Sequence, residues 1–190
     1  KKRKPKKNIN EPFKILCLSA IKHRKGQLNL VKSINLLNKK MKNFKVTFAG
    51  GVHEQNYLEL IKLEIKKKKI ESKFEFLGHI NKNKKRELFK KSDLFALLSE
   101  DINDDFEGFG LVYLEALSYG LPVIISSQTG CSNFDFKHRS GLIVNPHNYK
   151  KISEFIYLIS KNNISKASNQ CIKLCLKENW KNKTREIKNL

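Results

Sequence analysis

Short apolar runs alternate along this chain with stretches whose apolar residues recur at helical spacing, and no other feature narrows the fold as far. FKILCLS (13–19), FKVTFAGG (44–51), KFEFLG (73–78), DLFALLS (93–99), LPVIISS (121–127) and GLIVNP (141–146) each read as a strand. Between them, Leu30, Ile34, Leu37 and Met41 predict a helix from about Gln27, and Leu58, Ile61 and Ile65 predict a second. A short basic helix surrounds Leu88, an apolar one runs from about Phe109 to Tyr119, and another spans Ile152–Ile159. Strands without polar alternation are buried on both faces, which requires helices above and below a parallel sheet. The expected class is α/β, a Rossmann-like doubly wound parallel sheet over residues 13–163. A basic linker or tail (1–12) precedes it and a helical extension (164–190) follows. Sheets of this kind bind ligands beyond the carboxyl ends of their strands. Gly26, Gly50, Gly51, Gly78, Gly108 and Gly110 all fall at such ends, so function is sought there.

The net charge of +21 over 190 residues raises nucleic acid and anionic membrane as partners. The lysines, however, occupy nearly every segment, and the aromatics fall at core spacing rather than among the basic runs, where base-stacking platforms would lie. That distribution argues against nucleic acid and for solvated basic faces. The run Lys1–Lys7 differs, as a candidate for peripheral contact with anionic lipid at about 1 kcal/mol per residue near the surface. No apolar run approaches the roughly 18 residues of a membrane span, and no apolar h-region follows the basic start. The expected location is cytoplasmic, extending to the periphery of the inner membrane face. Cys17, Cys131, Cys171 and Cys175 make no disulfide framework. Cys171 and Cys175 would share a helix face but lack the second pair or histidine a metal site needs, and reduced thiols fit the expected compartment.

The stretch FEGFGLVYLEALSYGLPVI (106–124) sets Glu107 and Glu115 among apolar residues and glycines. A helix apolar nearly all round is expected to be buried, and a carboxylate stranded there is costly. Glu115 therefore requires a partner, either a protein cation or the hydroxyls of a ligand. Gly108 and Gly110 allow a ligand close to the backbone, and the helix start beyond them offers N–H groups to a phosphate. Glu115 lies about six residues on, roughly 9 Å at 1.5 Å per residue, comparable to the step from a diphosphate to a ribose. An ionised carboxylate only accepts hydrogen bonds, which suits a vicinal diol. Glu107 would face a sugar at the other end of the diphosphate. The competing reading is an interior ion pair with a glycine turn. A dinucleotide fingerprint fits less well, because Tyr113 stands where the third glycine of G-x-G-x-x-G belongs and the motif follows the fourth strand.

EGFGLVYLEALSYGLPVI closely resembles the E-x7-E segment of retaining GT-B glycosyltransferases, in particular the large family-4 group. The resemblance runs from about Phe13 to Ile159. Lys25–Gly26 is similar to the end of that family's G-R-x4-K-G loop, FKVTFAGG to its second strand, KFEFLGHI to its third, and GLIVNP to its GLLV-x-P. Trp180 resembles the aromatic that opens its last helix. The resemblance implies the C-terminal, donor-binding half of a GT-B fold. It implies Glu107 on the donor sugar, Glu115 on the ribose, and the backbone of Phe109, Gly110, Leu111 and Val112, next to Gly108, on the diphosphate. Lys25 would neutralise the phosphates as the nucleotide leaves, which is transition-state electrostatics. Gly78, His79 and Ile80 would flank the nucleobase, and the Thr129–Gly130 loop would lie near the sugar.

Some positions depart from the pattern. Ser19 and Ala20 replace the family's Gly-Arg, and Arg24 is the candidate substitute for the missing cation. Asn133 stands where relatives often carry glutamate, which leaves sugar selectivity open. Asp101, Asp104 and Asp105 read as an exposed acidic loop rather than a metal site, and His23, His53, His79, His138 and His147 as structural or surface residues. The expected function is retaining transfer from a nucleotide-sugar, a UDP- or GDP-sugar, to a glycan or lipid-linked acceptor, with no metal or other cofactor. Polysaccharide, lipopolysaccharide and glycolipid assembly all fit. An N-terminal Rossmann half, in the same or a separate chain, would complete the enzyme. The alternatives are a non-catalytic basic binding module and a degenerate donor domain that scaffolds a partner subunit.

Overall fold

The computed structural model of the chain describes residues 11–102, 108, 110–131, 133–162 and 165–177. Six strands form one sheet: β1 (Phe13–Leu18), β2 (Phe44–Ala49), β3 (Phe74–Phe76), β4 (Leu94–Leu97), β5 (Val123–Ser126) and β6 (Gly141–Val144). All pairings are parallel, in the order β3-β2-β1-β4-β5-β6. The helices are α1 (Gln27–Lys40), α2 (Gln55–Lys67), α3 (Lys82–Lys91), α4 (Leu111–Ser118), α5 (Tyr149–Lys161) and α6 (Ser165–Lys177). This is the doubly wound α/β architecture expected from the alternation. Right-handed crossovers carry α1 and α2 over one face and α3 and α4 over the other. α5 packs on α1, and α6 packs on α4.

Leu16, Val46, Leu94, Phe95, Ile124 and Ile125 are fully buried, adjacent strand residues facing opposite layers. The two halves of the sheet are joined at its centre by a reciprocal clasp. Lys14 N–H donates to Asp93 Oδ2 at 2.8 Å, and Asp93 N–H donates to Lys14 O at 2.7 Å.

Two expected boundaries move for physical reasons. β5 begins after Pro122, which has no N–H to donate, although its carbonyl accepts Phe95 N–H at 2.9 Å. α4 begins at Leu111 rather than Phe109, because Gly110 has φ 60°, outside the helical region. α6, within the expected helical extension, contributes Ala167, Cys171 and Leu174 to the core. Among the described residues no helix is long and apolar enough to cross a membrane.

Candidate functional site

The direction of strand succession reverses between β1 and β4, and sheets of this kind bind ligands in the crevice outside the carboxyl ends of their strands at such a switch point. Arg24 and Lys25 lie in the loop after β1, on a single 3-10 turn, His23–Lys25. That turn is held from three sides. His23 N–H donates to Glu54 Oε2 at 2.9 Å, the His23 ring stacks on Tyr57 at 4.9 Å, and Glu100 N–H donates to Arg24 O at 2.8 Å. Gly26, at φ 65°, closes the turn where a Cβ would sit 1.9 Å from Leu98 O. Only glycine lets the two loops approach this closely. Lys25 lies near enough to Cys17, at the end of β1, to act on its thiol. Burial pushes that thiol up to about 12, and the Ser19 hydrogen bond and the Lys25 charge oppose the shift only in part.

The start of α1 is largely satisfied from within. Tyr57 Oη accepts Leu28 N–H at 3.0 Å, and burial raises this hydroxyl well above its usual range while the Leu28 bond opposes it. Gln27 Nε2 donates to Ser19 Oγ at 3.0 Å and to Ala20 O at 2.8 Å, fixing the Ser19–Ala20 segment.

α4 presents a more open start. It has no side-chain cap, and Gly110 precedes it in the left-handed region. Tyr113 N–H donates to Gly110 O at 2.9 Å, so among the described residues the N–H groups that an anion would meet at this helix start are those of Leu111 and Val112. Among the described residues, a Cβ built on Gly108 would meet nothing within 4 Å. The Thr129–Gly130 turn lies beside this point, with Gly130 N–H donating to Gly108 O at 3.0 Å. Leu111 is 65% exposed and Val112 half-buried, so the expectation of an all-round buried helix is corrected: one side of α4 is open to solvent.

Glu115 is corrected with it. Its side chain is 43% exposed, and Oε1 accepts from Lys85 Nζ of α3 at 2.6 Å. Of the two partners its sequence context left open, the one present is a protein cation at the rim rather than an interior one. From Gly110, Glu115 is five residues on, about 7.5 Å along the helix axis. Gly78, also left-handed at φ 61°, and Ile80 are half-buried and His79 is exposed at the end of β3, where Gly78 O accepts Gly50 N–H at 2.8 Å. The described candidate residues lie beyond the carboxyl ends of four strands: Arg24 and Lys25 after β1, Gly78, His79 and Ile80 after β3, Gly108, Gly110, Leu111, Val112 and Glu115 after β4, and Gly130 after β5. Glu107 and Phe109 lie outside the described residues, as do Asp104, Asp105, Trp180 and the run Lys1–Lys7. Among the described residues no group of three or more histidine, cysteine or carboxylate side chains is placed to hold a metal.

Two groups escaped the sequence reading. Lys85 is one of five cations in KNKKRELFKK before position 91 and carries no local signal that separates it from the rest. Glu100 is a hub: Asn29 Nδ2 donates to Oε1 at 2.6 Å, and His147 Nε2 lies 3.0 Å from Oε2. His147 is thus a structural residue, and the network ties the start of α1 to the loop before α5.

A parallel α/β sheet of this order, with a glycine-flanked helix at its switch point, defines a Rossmann-like domain. Its structural relatives are glycosyltransferase domains. The C-terminal domain of the glycosyl transferase group 1 protein LpcC from Francisella tularensis superposes with TM-score 0.77 at 18% identity, covering 88% of this chain and 87% of that one. HepE of Anabaena, solved with UDP and glucose, gives TM-score 0.75 at 19% identity over 87% of this chain and 44% of that one. The chain matches the family described as Glycosyl transferases group 1 over residues 1–175, and it belongs to that family. Among curated relatives, a poly(glycerol-phosphate) alpha-glucosyltransferase of Bacillus subtilis is 28% identical over 181 residues, which is 90% of this chain and 25% of the relative. A GDP-mannose-dependent alpha-(1-6)-phosphatidylinositol monomannoside mannosyltransferase of Mycobacterium tuberculosis is 24% identical over 150 residues, 78% of this chain and 38% of the relative. The chain therefore spans between 25% and 38% of the length of these relatives.

Proposed function

We propose that this chain is the donor-binding half of a retaining, family-4-type glycosyltransferase that uses a UDP- or GDP-sugar without a metal ion. The observation that carries the reading is the start of α4: left-handed Gly110, no side-chain cap, and open space over Gly108. The diphosphate rests on the N–H groups of the first turn, and Lys25 adds a full positive charge from the β1 loop. As the bond from the anomeric carbon to the diphosphate breaks, its electron pair leaves with the phosphate. Fixed donors at that position stabilise the departing charge without having to reorganise. Arg24 supplies the second cation, Glu115 accepts from the ribose hydroxyls, and Gly78, His79 and Ile80 flank the base. Glu107 orients the sugar, near Gly130. The acceptor, a glycan or lipid-linked hydroxyl, arrives on an N-terminal Rossmann half in the same or a separate chain. HepE, of the same fold, has been solved with UDP-glucose, and relatives include enzymes named for GDP-mannose and for polymer glucosylation. These names support a nucleotide-sugar donor, and the reading extends to cell-envelope assembly at the cytoplasmic membrane face.

Calorimetric titration of the chain with UDP, GDP, uridine and guanosine tests the proposal. UDP or GDP binds, and Lys25→Ala weakens that binding at least about tenfold, the scale of a lost charge-assisted hydrogen bond, while leaving the nucleoside unaffected. Equal affinity of wild type and Lys25→Ala for the diphosphates would refute the role of Lys25. Failure of both to bind would refute the donor site.

A further inference from the structure

The contact between Lys85 and Glu115 spans two helices, α3 and α4. Lys85 lies in the first turn of α3, where its N–H donates to Asn81 O at 3.0 Å, and α3 directly follows the Gly78–Ile80 turn. Glu115 lies midway along α4, beyond the uncapped start. Both side chains are part-exposed, Lys85 at 32% and Glu115 at 43%, so water or a ligand reaches the pair. An ion pair this accessible adds little to stability. The contact engages one carboxylate oxygen, Oε1, and one ammonium proton. The second oxygen and the two other N–H groups of the ammonium are the complement of a hydroxyl pair. A hydroxyl both donates and accepts, and a carboxylate alone meets only the donating half.

We propose that Lys85 and Glu115 act together as the diol reader of the nucleotide site, with Glu115 accepting from one ribose hydroxyl while Lys85 donates to the oxygen of its neighbour. This rests on the reading of Glu115 as the ribose contact and adds to it a specificity-determining cation. Lys85 also holds the carboxylate on the α3 side of the crevice, so the pair is set before the ligand arrives and less ordering accompanies binding. The site therefore discriminates ribonucleotides from deoxynucleotides through two charges rather than one. A neutral residue at position 85 would leave the diol half-recognised and the carboxylate free to turn.

The test is titration of the chain with UDP and 2′,3′-dideoxy-UDP, and with the guanosine pair, against wild type, Lys85→Met, Lys85→Arg, Glu115→Gln and the Lys85→Met/Glu115→Gln double variant. Wild type favours the ribonucleotide by at least about tenfold, the scale of one hydrogen bond to a charged group. Lys85→Met loses most of that preference while its affinity for the dideoxy analogue stays within about threefold, as expected where the lost bond goes to the missing hydroxyls. Lys85→Arg retains the preference, and the double variant is no worse than either single one, because the two groups act as a unit. A Lys85→Met chain that weakens on both ligands equally would show a structural contact only and overturn the proposal. So would a Lys85→Arg chain as indifferent as Lys85→Met. If Glu115→Gln keeps the wild-type preference, the ribose reading itself fails. If Glu115→Gln loses it and Lys85→Met keeps it, the ribose reading stands and the role of Lys85 alone falls.

Discussion

Replacing Gly110 by alanine separates two demands that the start of α4 makes on one residue. The backbone there has φ 60°, where an L side chain costs roughly 1–2 kcal/mol. The new Cβ would also lie 2.6 Å from Cδ2 and 2.7 Å from Cε2 of Tyr113. That ring cannot move aside freely: it is fully buried, its hydroxyl donates to Leu97 O at 2.9 Å, and it stands edge-on to Phe95 at 5.9 Å. Overpacking of this kind costs about 1–3 kcal/mol, so the sum is about 2–5 kcal/mol. For a chain of this size each kcal/mol lowers the melting temperature by about 2–4 °C, giving a drop of about 4–20 °C. Thermal unfolding followed by circular dichroism measures it. Gly108→Ala is the control, because a Cβ there meets nothing among the described residues within 4 Å. It should melt within about 2 °C of wild type, as surface substitutions do, while weakening nucleoside diphosphate binding by filling the approach to the backbone. Gly110→Ala melting with the wild type, or Gly108→Ala falling as far as Gly110→Ala, would refute the reasoning.

Two further outcomes follow from the core. The Cys17 thiol, ordinarily near 9.0, stays protonated in the folded chain to about 12, so its contribution is complete below pH 9 and is lost as pH rises toward 12. Between pH 9 and 11, wild type should therefore lose stability more steeply than Cys17→Ala, by up to about 1.4 kcal/mol per pH unit; parallel urea-unfolding slopes would contradict this. On α6, Leu174 is 3% exposed and Leu176 is 64% exposed. Leu174→Ala should cost about 2–5 kcal/mol and Leu176→Ala less than about 0.5, and equal urea midpoints would show that α6 is not fastened to the body.

The sheet was legible because its strands are buried on both faces and so write themselves as unbroken apolar runs. The glycines that end them marked the rim for the same reason: close approach and left-handed backbone leave few residue choices. Glu115 was found as a residue but misjudged in burial. Hydrophobic residues around a helix signal a core position only when all its sides are covered, and α4 leaves Leu111 and Ser118 exposed. Its partner could not be read at all, since Lys85 is one lysine among many and only the α3–α4 packing selects it. The same holds for Glu100, whose partners Asn29 and His147 come from 71 and 47 positions away in the chain. Local propensity explains neither contact; tertiary geometry does.

The clasp between Lys14 and Asp93 joins residues 79 positions apart, and this bears on how the protein is made. On the ribosome, β1, β2 and β3 emerge in turn and can pair at once, but one edge of β1 then waits for β4. The entropy of closing so long a loop grows only slowly with length, by about 0.6 kcal/mol per doubling, so the wait itself is cheap. Its hazard is the bare strand Phe13–Leu18, an apolar edge open to the nascent chains of neighbours. The charge of +21 then does a service unrelated to any ligand, since half-made copies repel one another until the centre of the sheet is shut.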